Sequence, residues 1–361
     1  MAKQKTYVLI MAGGVGSRFW PASRIERPKQ FMDFMGTGKS LLQLTYDRFR
    51  TRFEPDEIYI VTNSSYIHLV AEQLPEIMSN QILGEPVGKN TAAAIAYGCY
   101  KIHHTFGRSN IIVSPSDHLI TDTQKFFTTI DNTLPFVSNN RALVTIGIEP
   151  TRPDTGYGYI QYIDMPVEKE IYKVKTFVEK PNKEMAEKLL ESGDFVWNAG
   201  IFVWNTQTIL DEFEKHLPEI SNLFGRVKNR WGTKDEQTCI EEIYPLCRSI
   251  SIDYGILEQS EHVFLSPGNF TWSDLGTWLS LYENSKKNKE NNALIGKLIE
   301  IYDSKNNLVY NDDNSPVVIN GVEDLIVVKS NGTVLICHIS KEQEVKQIVN
   351  DLSAKFRDKY T

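Results

Sequence analysis

Short apolar runs and stretches of helical period alternate along the chain from residue 6 to about residue 150. Tyr7 to Met11, Glu57 to Thr62, Gln81 to Pro86, Asn110 to Ser114 and Ala142 to Ile148 read as strands. Leu41 to Phe53, Tyr66 to Leu74, Asn90 to Phe106 and Phe126 to Val137 read as helices. Near-continuous apolar strands separated by helices predict an α/β fold: a Rossmann-like mixed, mostly parallel sheet flanked by helices. Ligands of such sheets collect outside the carboxyl ends of the strands, so the strand–loop junctions are where chemistry is to be sought.

From 151 to 290 the pattern turns mixed. Gly156 to Tyr162 and Tyr172 to Val178 alternate as antiparallel strands do, and Phe195 to Trp204 reads as another. Helical stretches follow at about 206–224, 235–247 and 252–260, then a strand at His262 to Leu265 and a helix after Asp274. The polar segment Asn284 to Asn292 reads as a linker. Beyond it, short β runs (Leu298 to Tyr302, Val317 to Ile319, Leu325 to Val328, Val334 to Ile339) precede an amphipathic helix, Lys341 to Leu352. The expected division is a large domain over 1–284 and a small β-rich domain over 285–361, ending in a helix. The latter would be one or two coils of a short β-helix.

Composition narrows the partners. The 361 residues suffice for one large α/β domain and a smaller one. A net charge of −7 argues against a general nucleic-acid binder, so any anion site must be a local cationic pocket. Cys99, Cys239, Cys247 and Cys337 form no C-x-x-C pair and read as free thiols of a reducing cytosol. No signal-peptide stretch follows Met1, and no run of about 18 apolar residues occurs. The expectation is a cytoplasmic protein with neither membrane nor nucleic acid as partner.

The first strand opens into Gly13-Gly14-Val15-Gly16-Ser17-Arg18-Phe19-Trp20-Pro21-Ala22-Ser23-Arg24, followed by Arg27-Pro28-Lys29-Gln30-Phe31. Glycines let a phosphate or base approach the backbone, and the cations add charge-assisted hydrogen bonds. A dinucleotide fingerprint would need a third glycine where Phe19 stands. Gly38-Lys39-Ser40 ends like a phosphate loop, but Asp33 occupies the place of its first glycine. Ser40 is better read as the cap of the helix beginning at Leu41.

Other junctions carry chemistry-bearing residues, each with a plainer alternative. Glu85 to Thr91 ends a strand and opens a helix, with Asn90 or Thr91 as cap; a buried helix start can also hold phosphate or a base. Asp117, in Ser114-Pro-Ser-Asp-His118, suits a Mg²⁺ ligand or a turn. Glu179 and Lys180 should point to opposite faces unless Pro181 marks a bend, in which case the pair suits a sugar phosphate. Asn198 is a buried amide for sugar hydroxyls, or part of a β-bulge. Asp253 competes with helix capping, and Asp274 stands at a loop–helix junction as a second metal candidate. No two histidines show the spacing of a helical metal pair.

Taken in order, these segments resemble the sugar nucleotidyltransferases. The Phe-Trp-Pro-Ala-Ser form at 19–23 is similar to the mannose-1-phosphate guanylyltransferases (GDP-mannose pyrophosphorylases). The resemblance is dense from about 6 to 280 and looser in the tail. It implies the nucleotidyltransferase type A fold and transfer of GMP from GTP to mannose 1-phosphate, with Mg²⁺. Carried over, it puts Ala12, Gly13, Gly14, Gly16, Ser17, Glu85, Asn90, Thr91 and Ser116 on the nucleotide. Arg18 and Lys29 fall on the triphosphate, and Asp117 and Asp274 on the metal. Gly158, Glu179, Asn198 and Asp253 fall on the hexose, with Lys180 on its phosphate. Lys89 and Ala93 depart from the Arg and Pro common in the family, which leaves base-site detail open. The chain also stops before the isomerase domain of longer members, so no phosphomannose isomerase activity is expected. Two alternatives stand beside this reading: transfer to another hexose or heptose 1-phosphate, and a silent GDP-mannose-binding paralogue. A homodimer is one option that the sequence leaves open.

Overall fold

The computed structural model describes residues 4–14 and 16–356. By packing, the chain forms two compact units, neither continuous in sequence. The first runs to Gly13 and adds Asp47–Pro115 and Ile120–Trp272. The second takes Gly14–Tyr46, Ser116–Leu119 and the chain from Ser273 on.

The first unit holds a nine-stranded sheet. Its strands are β1 (Thr6–Ala12), β2 (Ile58–Asn63), β3 (Ile82–Glu85), β4 (Asn110–Pro115) and β5 (Leu143–Ile148), followed by β6 (Gly158–Glu168), β7 (Ile171–Glu179), β8 (Phe195–Asn205) and β9 (Val263–Pro267). The spatial order is 3-2-1-4-8-5-9-7-6. Neighbours among β3, β2, β1 and β4 are parallel, as are β5 and β9; β8 and β7 run against them. Tyr7 to Ile10 are buried throughout, which is why this strand reads as a continuous apolar run. The helix Asn90–Phe106 is buried over most of its length by small residues. It lies close enough on β1 that a Cβ at Gly98 would come within 2.3 Å of Leu9.

Most predicted elements recur within a few residues. Among the exceptions, 252–260 is helical only over Asp253–Leu257, as a single wide π-helical turn. The helix at Asn90 carries no side-chain cap: Asn90 itself has φ 64°, and its Oδ1 accepts the neighbouring Thr91 N–H. Tertiary bonds tie the helix start down instead. Ala92 N–H donates to Ile250 O at 3.1 Å, while Thr91 Oγ1 accepts the Ile252 N–H at 2.9 Å.

In the second unit, β10 (Ala293–Gly296), β12 (Leu308–Asn311) and β14 (Leu325–Ser330) stack in parallel; β11 (Ile299–Tyr302) and β13 (Val317–Asn320) stack likewise. These are the coils of the expected short β-helix. Asn292 and Asn307 are linked at one of its corners, with Asn307 Nδ2 donating to Asn292 Oδ1 at 2.9 Å. A last strand, β15 (Thr333–His338), returns antiparallel along β14. The Asn284–Asn292 segment, expected as a linker, is packed: Tyr282 donates to Asn291 O at 2.8 Å, and Asn292 is buried.

The same core takes in the opening loop. Phe19, Trp20, Met32 and Phe34 cluster with Trp278, Tyr310, Ile326 and Leu335. Phe19 lies 4.6 Å from Phe34 and 4.9 Å from Trp278, centroid to centroid. Each such aromatic, fully buried, contributes about 1.5–3 kcal/mol. Ser40 caps its helix as expected, with Oγ accepting Gln43 N–H and Gln43 Oε1 accepting Ser40 N–H. No helix of the described residues is long and apolar enough to cross a membrane.

Candidate active site

In the second unit, Lys29 gathers the acidic candidates. The residue is 4% exposed, its ammonium donating to Asp117 Oδ2 at 3.0 Å and to the backbone carbonyl of Asp274 at 2.7 Å. Burial would raise the Asp117 carboxyl, but the charges of Lys29 and His118 hold it below the ordinary carboxylate range. The Asp274 carboxylate accepts the Gly276 N–H at 2.9 Å. Gly16 makes room for this cluster: it has φ 73°, and a Cβ there would sit 2.6 Å from Lys29 Cβ. Ser17 and Arg18 begin the short helix that follows, with Arg18 exposed and Phe19 buried. Gly14 is exposed, and a Cβ on it would meet nothing. Ser116 is buried, its carbonyl accepting the Thr45 hydroxyl.

In the first unit, Glu85 ends β3 with its carboxylate buried. One oxygen accepts the Tyr244 hydroxyl; the other lies 3.1 Å from where a Cβ on Gly13 would be. Burial raises the Glu85 carboxyl, and the Tyr244 bond works against that rise. Ala12 O accepts the Thr62 hydroxyl at 2.7 Å, which ties the end of β1 to β2.

A second cluster of this unit joins Gly158, Glu179, Lys180, Asn198 and Asp253. Lys180 has φ 48°, and this bend, rather than alternation, decides its direction: its ammonium pairs with Glu179. The other Glu179 oxygen, Oε2, is buried without a hydrogen-bond partner. A Cβ at Gly158 would collide with it, at 2.4 Å. Asn198 stands beside a bulge in β8, where the register against β5 shifts between Thr145 and Gly147. Its amide is aimed from both ends. Oδ1 accepts from Thr145 Oγ1 at 2.9 Å and Gly200 N at 3.2 Å, and Nδ2 donates to Asp253 Oδ1 at 2.8 Å. Asp253 caps nothing; burial, then the adjacent Glu179, pushes its carboxyl up to about 6.

Two supporting residues escape the sequence reading. Thr145 left one signal, a hydroxyl inside an otherwise apolar strand. Tyr244 left none, since its partner Glu85 is 159 residues away.

Residues 7–291 match the family model for nucleotidyl transferases, and 296–352 match that of the MannoseP isomerase/GMP-like β-helix domain. The chain belongs to the nucleotidyl transferase family. As a nucleotidyltransferase it is an enzyme, and its relatives narrow the kind. Mannose-1-phosphate guanylyltransferase 2 of Escherichia coli O157:H7 is 35% identical over 100% of this chain and 76% of its own length. The mannose-1-phosphate guanylyltransferase of Salmonella muenchen is 36% identical over 99% of this chain and 75% of its own. Among solved structures, a mannose-1-phosphate geranyltransferase from Thermus thermophilus aligns with TM-score 0.87 and 31% identity, covering 97% of this chain and 99% of that one.

Nucleotidyltransferases generally use a divalent metal, and the second unit of this one offers donors that fit. Asp117 and Asp274 carry oxygens of the kind such an ion takes, and one ammonium holds an atom of each, the Asp117 carboxylate and the Asp274 backbone carbonyl. Among the described residues no group of three or more His, Cys, Asp or Glu side chains could hold an ion unaided. A pair of carboxylates suits an ion that completes its shell with water and substrate phosphates.

Proposed function

We propose that this enzyme transfers GMP from GTP to mannose 1-phosphate, giving GDP-mannose and pyrophosphate. The chemistry rests above all on Lys29, which holds Asp117 and Asp274 in one knot; the choice of substrates rests on the relatives. A phosphate oxygen of the sugar phosphate attacks the α-phosphorus in line. It is already anionic, so no general base and no covalent intermediate is required. What the reaction needs is positioning and the neutralisation of two polyanions.

The residues divide that work. Arg18 and Lys29 take the triphosphate and the charge growing on pyrophosphate. Gly13, Gly14, Gly16, Ser17, Ala12 and Ser116 offer backbone to the nucleotide, and Glu85, Asn90 and Thr91 frame its base and ribose. Asn198, Glu179 and Asp253 hold the hexose hydroxyls beside the small Gly158, and Lys180 takes its phosphate. Asp117 and Asp274 would hold Mg²⁺, which when bound withdraws charge from the phosphates. A cytoplasmic location belongs to the same reading, and four free cysteines support it.

Pyrophosphate release over a panel of nucleoside triphosphates and sugar 1-phosphates tests the assignment. GTP with mannose 1-phosphate should exceed every other pair by at least about tenfold in kcat/KM. Another pair of equal efficiency would end the specific claim. Lys180→Ala should raise the KM for the sugar phosphate roughly tenfold or more, and that for GTP much less. Equal effects on both substrates would misplace Lys180.

A further inference from the structure

Glu85 is the only acidic side chain assigned above to the base, and its environment is asymmetric. On one side is Tyr244, fully buried, whose hydroxyl donates to Oε1. On the other is exposed Gly13, which sets no side chain against Oε2: a Cβ there would lie 3.1 Å from it. The phenol ring cannot turn away. It is wedged against Tyr97 and Phe224, with centroids 6.3 and 6.2 Å distant.

A carboxylate held in one plane is the natural complement of guanine. The Watson–Crick edge of guanine carries two parallel donors, N1–H and the 2-amino group. Adenine presents an acceptor at N1 and no 2-amino group, while hypoxanthine keeps N1–H alone. Two conditions apply: the carboxylate must be oriented, and it must be ionised, because a protonated oxygen would face N1–H donor to donor. A donated hydrogen bond from a rigid phenol serves both. Burial keeps the phenol itself protonated, and therefore a donor.

We infer that Tyr244 is a positioning residue for nucleotide choice, acting through Glu85 to favour guanine over bases lacking the 2-amino group. The inference rests on the guanylyltransferase reading. Tyr244→Phe keeps the wedged ring and removes only the donor.

The test compares kcat/KM for GTP and for ITP in pyrophosphate release at saturating mannose 1-phosphate. In Tyr244→Phe the GTP/ITP ratio should fall roughly fivefold to tenfold, through KM for GTP, with kcat changing little. Glu85→Gln should lower the same ratio, and adding Tyr244→Phe to it should bring little further change, since both act through one carboxylate. A structural role for Tyr244 would instead depress both nucleotides by one factor; an unchanged ratio overturns the inference. A wild-type enzyme without GTP preference would overturn the underlying assignment as well, so the two failures are told apart.

Discussion

Asp117→Asn is expected to lower kcat roughly a hundred- to a thousandfold while the Tm falls by only a few degrees. Asparagine has the same shape and can still accept the Lys29 hydrogen bond, so the loop around 117 keeps its geometry. What it loses is charge. The Lys29 side chain is 5% exposed and that of Asp117 32%, so the partner of a buried ammonium is itself partly solvated. Losing that charge costs about 1–2 kcal/mol, below the figure for a fully buried pair. Lys29 and His118 hold the Asp117 carboxyl below its usual 3.8 despite burial. Its contribution is therefore complete at neutral pH and fades only as acid passes that lower value, so pH 7 reports the full effect. Turnover should also need more of the divalent metal for half-saturation. Turnover within threefold of wild type, at unchanged divalent-metal demand, would reduce Asp117 to a structural turn residue.

The residues that could be read from sequence and those that could not differ in where their partners lie. The parallel strands were legible because burial on both faces writes an uninterrupted apolar run, as in Tyr7 to Ile10. That β8 inserts between β4 and β5 was not, since periodicity says nothing about which strands pair. Asn90 and Thr91 looked like caps because local rules assume the helix start must find its own acceptors; here Ile250 supplies one from a distant segment. Glu179 and Lys180 needed a bend, and a positive φ at Lys180 provides it.

Asn198 shows two readings that need not compete. A bulge beside it was the plain alternative to a sugar-directed amide, yet the bulge sets the amide against Thr145 and Asp253. Phe19 and Trp20 carry a related lesson. They break the dinucleotide fingerprint, but their side chains are core residues, at 1% and 6% exposure. Their place in the signature is explained by what they anchor: the loop bearing Arg18 and Lys29 has its apolar side buried among strands near the end of the chain.

That anchoring leads to the larger effect. A chain ended after Asn284 should show no measurable turnover. Its loss would remove Ala293, Ile295, Leu308, Tyr310, Ile326 and Val328 from the core that holds Phe19, Phe34 and Trp278. At about 1.5–3 kcal/mol for each large side chain uncovered, three or four remove about 4.5–12 kcal/mol, most of a domain stability of about 5–15 kcal/mol. Specific ties go too: Arg24 donates to Thr333 Oγ1 at 2.7 Å, and Arg27 pairs with Asp312 at 3.4 Å. Trp278 and Trp20 are buried in the full chain, so the shortened one should also show red-shifted tryptophan emission. The composition of the polar 284–292 segment and the packing around Trp278 make opposite predictions for this experiment. A self-standing catalytic domain over 1–284 would keep turnover within tenfold of the full chain. A loop folded on the β-helix would lose it, because the core that holds the loop bearing Arg18 and Lys29, the residues proposed to take the triphosphate, would be gone.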